Sequence, residues 1–201
     1  MEGRVAVLVS GSGTNLQALL DDPVIAPAIV LVMADRPSIH ALERAADRGI
    51  ETVVVQADDH WDRDTFTRAV THALLEHGVD TVVLAGYMKV LGASFFETFP
   101  NRVINVHPSL LPSFPGAHAV RDALAWGVKV TGVTVHLVDD QVDHGPIVMQ
   151  EPIEVRDDDD WDSLEARVHE VEHRLLPRAV RALLQQHLVV EGRMVKIQGE
   201  G

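Results

Sequence analysis

The sequence predicts an α/β fold with a mainly parallel, open twisted sheet and helices on both faces. Short runs rich in Val, Ile and Leu alternate along the chain with segments of helical character. The runs are continuously apolar, as in strands that are covered on both faces. Strands that alternate with helices are joined by right-handed crossovers, which produce a parallel sheet. Hydrophobic residues make up 46% of the chain, which is enough for a packed core.

The first half of the chain repeats this alternation. The predicted strands are Val5–Val9, Ile29–Met33, Thr52–Val55, Thr81–Ala85 and Val103–Val106. The predicted helices are Asn15–Leu20, Ile39–Arg48, Arg63–Glu76 and Ala93–Thr98. We expect each of these strands to be buried on both faces.

The second half begins with a proline-rich loop and a short predicted helix, His118–Trp126. Two longer strands follow, Lys129–Val138 and Ile147–Val155; apolar and polar residues alternate in the first, which predicts a half-exposed strand. A long C-terminal helix, about Asp162–His187, should be kinked by Pro177. The acidic residues just before it complement the helix dipole. A hairpin, Leu188–Val190 and Met194–Ile197, ends the pattern.

Length and charge narrow the class of protein. The 201 residues fit one domain, and no linker is visible. The net charge, 17 − 30 = −13, disfavours a nucleic-acid partner. The absence of cysteine excludes disulfides, thiolate nucleophiles and Cys-ligated zinc. Because neither a signal peptide nor an apolar run of membrane-spanning length is visible, we expect a cytoplasmic protein without a membrane partner.

A glycine-rich loop, Ser10-Gly11-Ser12-Gly13-Thr14-Asn15, follows the first predicted strand. Glycines let a ligand approach the backbone, and the N-terminus of the next helix offers free N–H groups, so phosphate is the natural ligand. The loop is not a Walker A motif, and Leu16 replaces the third glycine of the dinucleotide fingerprint. An ordinary strand-to-helix turn is the alternative.

Asn105 and His107 stand two residues apart at the end of a predicted strand, so their side chains point the same way. Ligands of open α/β sheets bind at this edge. An amide can donate to a developing oxyanion, and an imidazole can exchange protons near neutral pH. The alternative is a strand-end Asn that caps a turn beside a structural histidine.

Two further segments could contribute to a site. In the loop Asp139–Pro146, Asp143 could orient or charge a histidine; the alternative is a solvated acidic loop. A metal site is disfavoured, because the histidines and aspartates there lack the tight spacing of metal ligands. After the fourth predicted strand, Met88, Val90 and Leu91 could line an apolar pocket for a ring system, or simply pack in the core.

Taken in order, these segments resemble the phosphoribosylglycinamide formyltransferase family of purine biosynthesis. The similarity covers about residues 4–190. It is carried by the glycine loop, Leu84–Met88, Ile104–Pro112 (which includes His-Pro-Ser-Leu-Leu-Pro), Thr131–His136 and Val142–Pro146. The resemblance implies a Rossmann-like formyltransferase fold in a single domain, residues 1–201. Its phosphate-binding half would span about 1–100 and its folate-binding and catalytic half about 85–201.

The resemblance also implies a reaction. A formyl group would move from 10-formyltetrahydrofolate to the amine of glycinamide ribonucleotide, without a metal, in a monomer or homodimer. The implied catalytic residues are Asn105, His107 and Asp143. The implied ribonucleotide-binding residues are Gly11, Ser12, Gly13, Thr14, Asn15, Arg63 and Glu172. The implied folate-binding residues are Met88, Lys89, Val90, Leu91, Val138, Asp139 and Asp140.

Two positions depart from the family pattern. Lys89 stands where Arg is common, and Lys cannot offer the same two-pronged grip on a carboxylate. His144 stands beside Asp143 where a small residue is common, and it adds a titratable group.

Other functions remain open at this stage. Formyltetrahydrofolate hydrolase and methionyl-tRNA formyltransferase have similar sites, but they usually carry an additional domain. A non-catalytic nucleotide- or folate-binding module is the alternative from a different class, and an NAD-dependent oxidoreductase is disfavoured by Leu16.

Overall fold

The computed structural model describes residues 3–198. Within this range the chain forms two compact units, one that ends at Ile104 and one that begins at Asn105.

The first unit is a parallel sheet with intervening helices. Its strands are β1 (Val5–Val9), β2 (Ile29–Ala34), β3 (Glu51–Val54) and β4 (Thr81–Leu84), in the order β3-β2-β1-β4. Its helices are α1 (Thr14–Leu20), α2 (His40–Asp47), α3 (Arg63–Glu76) and α4 (Ala93–Thr98). The pairs β1–β2, β1–β4 and β2–β3 are all parallel. The predicted elements of this half are therefore confirmed, with ends that differ by at most one residue.

Burial in the first unit follows the apolar runs, with one exception. Every residue of β1 and β4 is buried. The prediction that all five apolar runs are covered on both faces is wrong for β3, in which Glu51, Thr52 and Val54 are exposed. The reason is position, because β3 is the outermost strand of the sheet. A run of four residues does not reveal from sequence alone whether it lies at an edge.

The second unit is mixed. Strand β5 (Val103–His107) begins at the end of the first unit, and it is followed by α5 (Ala119–Trp126), β6 (Val130–Leu137), β7 (Ile147–Glu154), α6 (Trp161–Leu184), β8 (Leu188–Glu191) and β9 (Met194–Ile197). The strand order is β5-β6-β7-β9-β8. Strands β6 and β7 pair antiparallel, as do β8 and β9, whereas β9 joins β7 in parallel. The long C-terminal helix and the hairpin are confirmed, and so is the α/β class with a mainly parallel sheet.

Strand β6 corrects a second prediction. Its alternating pattern predicts a half-exposed strand, yet Thr131–Leu137 are all buried. Two of the polar side chains on this strand, Thr134 and His136, are covered and form internal hydrogen bonds. Thr134 Oγ1 donates to Ser109 O at 2.7 Å and accepts from Leu111 N at 3.0 Å. Period-two alternation distinguishes the two faces of a strand, but it does not show that the polar face contacts water.

Helix α6 is held at its start by the acidic run. The Asp160 carboxylate accepts from Ser163 N at 2.9 Å, and the Ser163 hydroxyl accepts from Asp160 N at 3.0 Å, which forms a capping box. Asp159 forms an ion pair with Arg167 in the second turn of the helix. The helix continues through Pro177 and ends at Leu184, three residues before the predicted end. None of the helices within residues 3–198 combines the length and the hydropathy that a membrane span requires.

Candidate active site

Three of the predicted site residues meet in the second unit. Asn105 and His107 lie on β5, and Asp143 lies in the loop between β6 and β7. Nδ1 of His107 is 3.3 Å from Asp143 Oδ2, and both side chains are nearly buried. The geometry therefore brings the imidazole and the carboxylate within reach of each other.

Asp143 is fixed by its backbone and by several contacts. Its φ of 50° lies in the left-handed region, which is unusual for a residue other than glycine. Its Oδ2 accepts from Gly116 N at 2.7 Å. Burial by itself raises the pKa of Asp143, but the contact with His136, the Gly116 N–H and the charge of His107 outweigh burial and hold the pKa below its ordinary value. The carboxylate is therefore kept ionised in a partly buried place.

His136 is the neighbour that sequence reasoning missed. Its side chain is buried on β6, with Nε2 3.1 Å from Asn105 Nδ2 and 3.7 Å from Asp143 Oδ1. Nδ1 faces the carbonyl oxygen of Leu137 at 2.9 Å and must donate to it. Nε2 therefore lies between the Asn105 amide and the Asp143 carboxylate. Without a proton it accepts from Asn105, and with one it donates to Asp143.

The missed role has a traceable cause. His136 falls on the polar face of β6, and the alternation of that strand predicts that this face is exposed. The sequence signal was present, since Thr131–His136 is one of the segments that carry the family resemblance. It pointed to a strand rather than to a partner for Asn105.

The loop after β5 closes on His107 from the other side. Nε2 of His107 lies 2.8 Å from Phe114 O, to which it must donate. The loop is tied internally by the Ser109 hydroxyl, which donates to Ser113 O at 2.5 Å. Because Nδ1 faces a carboxylate and Nε2 faces a carbonyl, only a doubly protonated ring can donate from both nitrogens at once.

The loop that carries Asp143 is narrow. Leu137 N donates to Pro146 O at 2.9 Å across its base. A Cβ on Gly145 would lie 1.9 Å from Leu137 O, so only glycine fits there. His144 uses Nδ1 to reach Asp139 Oδ2 at 2.8 Å. Of the predicted folate-binding residues on this loop, Val138 and Asp139 are half-buried and Asp140 is exposed.

The glycine loop lies in the first unit. Gly13 has a φ of 73°, and a Cβ there would lie 2.6 Å from the Cβ of Ala41, so the loop requires glycine at this position. Arg44 of α2 donates through Nε to Ser12 O at 3.0 Å and fixes the course of the loop. Gly11 and Ser12 are exposed, Thr14 is half-buried, and Asn15 is buried. The predicted phosphate contact Arg63 is the exposed first residue of α3.

The predicted folate-binding residues in the segment after β4 differ in their exposure to solvent. Met88 and Val90 are exposed, whereas Leu91 is buried in the core. The ammonium of Lys89 lies 4.0 Å from a carboxylate oxygen of Asp35, whose side chain is fully buried. Lys89 therefore has a partner within the protein, in addition to the ligand contact that the resemblance implies.

Glu172 lies on α6 and is buried. Its Oε2 accepts from Nδ1 of His169, one turn earlier, at 2.8 Å. This hydrogen bond is the main cause that raises the pKa of His169 above 6.5, and it outweighs the opposing effect of burial. In the part of the chain that the structure describes, no group of three or more His, Asp and Glu side chains is arranged to hold a metal ion.

Comparison with known proteins gives concordant matches. A family profile described as formyl transferase matches residues 3–180. The phosphoribosylglycinamide formyltransferase of Mycobacterium tuberculosis (strain ATCC 25618 / H37Rv) is 46% identical over 191 residues, which are 94% of this chain and 89% of the relative. That of Bacillus subtilis (strain 168) is 36% identical over 184 residues, 90% of this chain and 94% of the relative. The crystal structure of glycinamide ribonucleotide transformylase 1 from Symbiobacterium toebii superposes with a TM-score of 0.93 at 43% identity, covering 96% of this chain and 93% of the other.

Proposed function

Since this chain belongs to the formyl transferase family, we propose that it transfers the formyl group of 10-formyltetrahydrofolate to the amine of glycinamide ribonucleotide. The observation that carries the proposal is the cluster of an amide, an imidazole and an ionised carboxylate formed by Asn105, His107 and Asp143. Acyl transfer to an amine needs a donor for the oxyanion and a group that moves a proton, and this cluster supplies both.

The comparisons confirm the coarser predictions. The family resemblance, the fold class and the assignment to the formyltransferases agree with the matched family and with relatives and structures that cover most of the chain. The identity of the formyl donor and the roles of individual residues belong to the proposal.

The ribonucleotide would be bound through its phosphate. We assign the phosphate to the glycine loop, where exposed backbone at Gly11 and Ser12 allows close approach. The proposed ribonucleotide-binding set is Gly11, Ser12, Gly13, Thr14, Asn15, Arg63 and Glu172. A phosphate favours exposed N–H groups and a guanidinium, and a carboxylate such as that of Glu172 accepts hydrogen bonds from sugar hydroxyls.

The folate would be held by apolar side chains and backbone groups. Met88 and Val90 expose apolar surface that suits a flat ring. The proposed folate-binding set is Met88, Lys89, Val90, Leu91, Val138, Asp139 and Asp140. Because Lys89 is directed to Asp35, its grip on the carboxylate tail of the folate is the weakest part of this set.

The proposed chemical step is direct attack. The amine nitrogen of the ribonucleotide bonds to the formyl carbon, and the carbonyl oxygen becomes an oxyanion in a tetrahedral intermediate. The Asn105 amide donates to this oxyanion. The bond from the formyl carbon to the folate N10 then breaks, N10 takes a proton, and the attacking nitrogen loses one. No covalent enzyme intermediate is required.

His107 would carry the proton. Asp143, ionised and 3.3 Å from Nδ1, stabilises the imidazolium and keeps Nε2 directed away from the carboxylate. Nε2 donates to Phe114 O in this structure. His107 must therefore exchange that hydrogen bond for one to the reacting atoms, as is common when a catalytic contact forms only with substrate bound.

A steady-state assay with both substrates tests the proposal. The purified chain is supplied with 10-formyltetrahydrofolate, with and without glycinamide ribonucleotide, while tetrahydrofolate, formylated ribonucleotide and free formate are quantified. We expect equal amounts of tetrahydrofolate and formylated ribonucleotide, and no turnover without the amine. Formate release independent of the amine would identify a hydrolase instead, and binding of both ligands without turnover would identify a non-catalytic module.

A further inference from the structure

We propose that Arg193, acting through His144, positions Asp143 for formyl transfer. This inference rests on the proposed function and deepens it, because it assigns a role to the C-terminal hairpin in the catalytic cluster. The residues involved lie in two places of the second unit, the loop between β6 and β7 and the turn between β8 and β9.

The loop places Asp143 in a conformation that needs support. Asp143 has a φ of 50°, which a residue with a side chain rarely adopts and which costs about 1 kcal/mol. The base of the loop is closed by the hydrogen bond from Leu137 N to Pro146 O at 2.9 Å. Asp143 lies between these two points. Its carboxylate is held by Gly116 N at 2.7 Å, and the backbone beside it is held by the contacts of His144.

His144 supplies one tie across the loop. Its Nδ1 lies 2.8 Å from Asp139 Oδ2, and the other oxygen of Asp139 accepts from Gln141 N at 3.0 Å. Because His144 directly follows Asp143, this contact joins the end of the loop that carries Asp143 to its beginning. An alanine or glycine at position 144 could not make it.

Arg193 holds the same histidine from outside the loop. It donates to His144 O at 2.7 Å and lies 3.2 Å from His144 Nε2. Since a guanidinium can only donate, Nε2 must accept, and the ring proton is placed on Nδ1, where it faces Asp139. Arg193 directly precedes Met194, which pairs with Ile147 of β7. The pairing of β9 with β7 thus places the Arg193 guanidinium beside His144.

This contact differs from an ordinary surface ion pair. Exposed pairs contribute little to stability, and Lys196 with Glu191 on the same hairpin, at 2.7 Å, is such a pair. Arg193 instead holds the backbone carbonyl of the residue next to Asp143, whose carboxylate must stay within reach of His107. Small displacements of a catalytic group reduce turnover far more than they reduce stability. The expected effect is therefore on the rate.

The test compares Arg193→Ala, His144→Ala, the double variant, Arg193→Lys and the control Lys196→Ala. We expect each of the first two to lower kcat about tenfold with the KM for the ribonucleotide and the thermal midpoint nearly unchanged. The double variant should lose more rate than either single variant, because Arg193 still holds the backbone carbonyl of residue 144 in His144→Ala. Lys can still donate to that carbonyl, so Arg193→Lys should recover most of the rate, and Lys196→Ala should equal the wild type. Full activity in Arg193→Ala, or an equal loss in Lys196→Ala, would overturn the proposal.

A second measurement separates this inference from the proposed function. The imidazole resonances of His107 and His136, followed by long-range ¹H–¹⁵N correlation, report the position of Asp143 without any turnover. We expect them to move in Arg193→Ala and to stay in Lys196→Ala. If the wild type transfers no formyl group but the resonances move, the proposed function fails and the positioning role stands. If they do not move, the positioning role is refuted whatever the activity.

Discussion

Nδ1 of His107 lies 3.3 Å from Asp143 Oδ2, and that same oxygen accepts the Gly116 N–H at 2.7 Å. The carboxylate therefore joins the end of β5 to the loop that follows it. This arrangement places a charged group beside an imidazole in a nearly buried place, where electrostatic interactions are stronger than in water.

The stability that the ionised Asp143 contributes should be lost at acid pH. Burial alone raises the pKa of Asp143, but the contacts with His136, Gly116 and His107 lower it below 3.8. A group whose pKa is depressed in the folded state contributes stability above its unfolded value, and this contribution is lost as the pH falls through the folded value. Urea unfolding of the wild type and Asp143→Asn, from about pH 6 to about pH 2, measures it.

The difference between the two proteins isolates this one carboxylate. Exposed carboxylates with lowered pKa, such as Asp62 and Asp160, are present in both and cancel. We expect the gap in unfolding free energy to shrink once the pH falls below 3.8. A gap that stays constant over the whole range would show that Asp143 is not stabilised as a carboxylate.

Asn105→Ala should lower kcat strongly. Removal of one oxyanion donor typically costs about a hundred- to a thousandfold in turnover. The matched control is Asn101→Gly, at an exposed turn residue with a φ of 56°, where glycine is readily accommodated. We expect the control to keep full activity and both variants to remain folded by circular dichroism. Turnover of Asn105→Ala within a few-fold of the wild type would remove Asn105 from the mechanism.

Glu172→Gln should lower the pKa of His169. The hydrogen bond to Glu172 is the largest cause that raises this pKa above 6.5, and the charge of Glu172 adds to it. Because the pKa is raised in the folded state, the pair stabilises the protein below the unfolded value, and the effect is lost as the pH rises through the folded value. An NMR titration of His169 measures the shift, with Glu76→Gln, whose partner is His72, as the control. An unchanged His169 pKa would contradict the pairing.

Gly145→Ala should destabilise the fold beyond the effect of backbone conformation. A Cβ at this position would lie 1.9 Å from Leu137 O, and overpacking of this kind costs about 1–3 kcal/mol or more. Gly49 is the control, because it has a φ of 67° but open space around it, so Gly49→Ala should cost about 1 kcal/mol from backbone strain alone. Chemical denaturation of both variants measures the two losses in unfolding free energy. Equal losses would show that the loop can widen.

Much of the fold could be predicted from local patterns. The apolar runs and the helical segments between them predicted β1, β9, α3 and α4 with their observed ends. The burial of β3 and β6 could not be predicted, because it depends on which strands lie beside them. His136 is the clearest case. The alternation of β6 predicts on which face of the strand His136 lies, but only the tertiary structure shows that this face is covered and that His136 contacts Asn105.

The candidate site was predicted to a similar extent. The pairing of His107 with Asp143 was expected, although the two are separated by a whole loop, helix and strand in sequence. The contact of Arg193 with His144 was not, since no local pattern links a hairpin turn to a loop about fifty residues earlier. A contact between residues so far apart in sequence depends on strand register, here on the pairing of β9 with β7.

The central claim is that His107, paired with Asp143 at 3.3 Å, takes part in the chemical step itself. Single-turnover formyl transfer by the wild type and His107→Ala, at saturating concentrations of both substrates, measures that step directly. We predict that the rate falls by about a hundredfold or more while both substrates still bind and the fold is retained. A single-turnover rate within about threefold of the wild type would contradict the account, because turnover would then proceed without the imidazole.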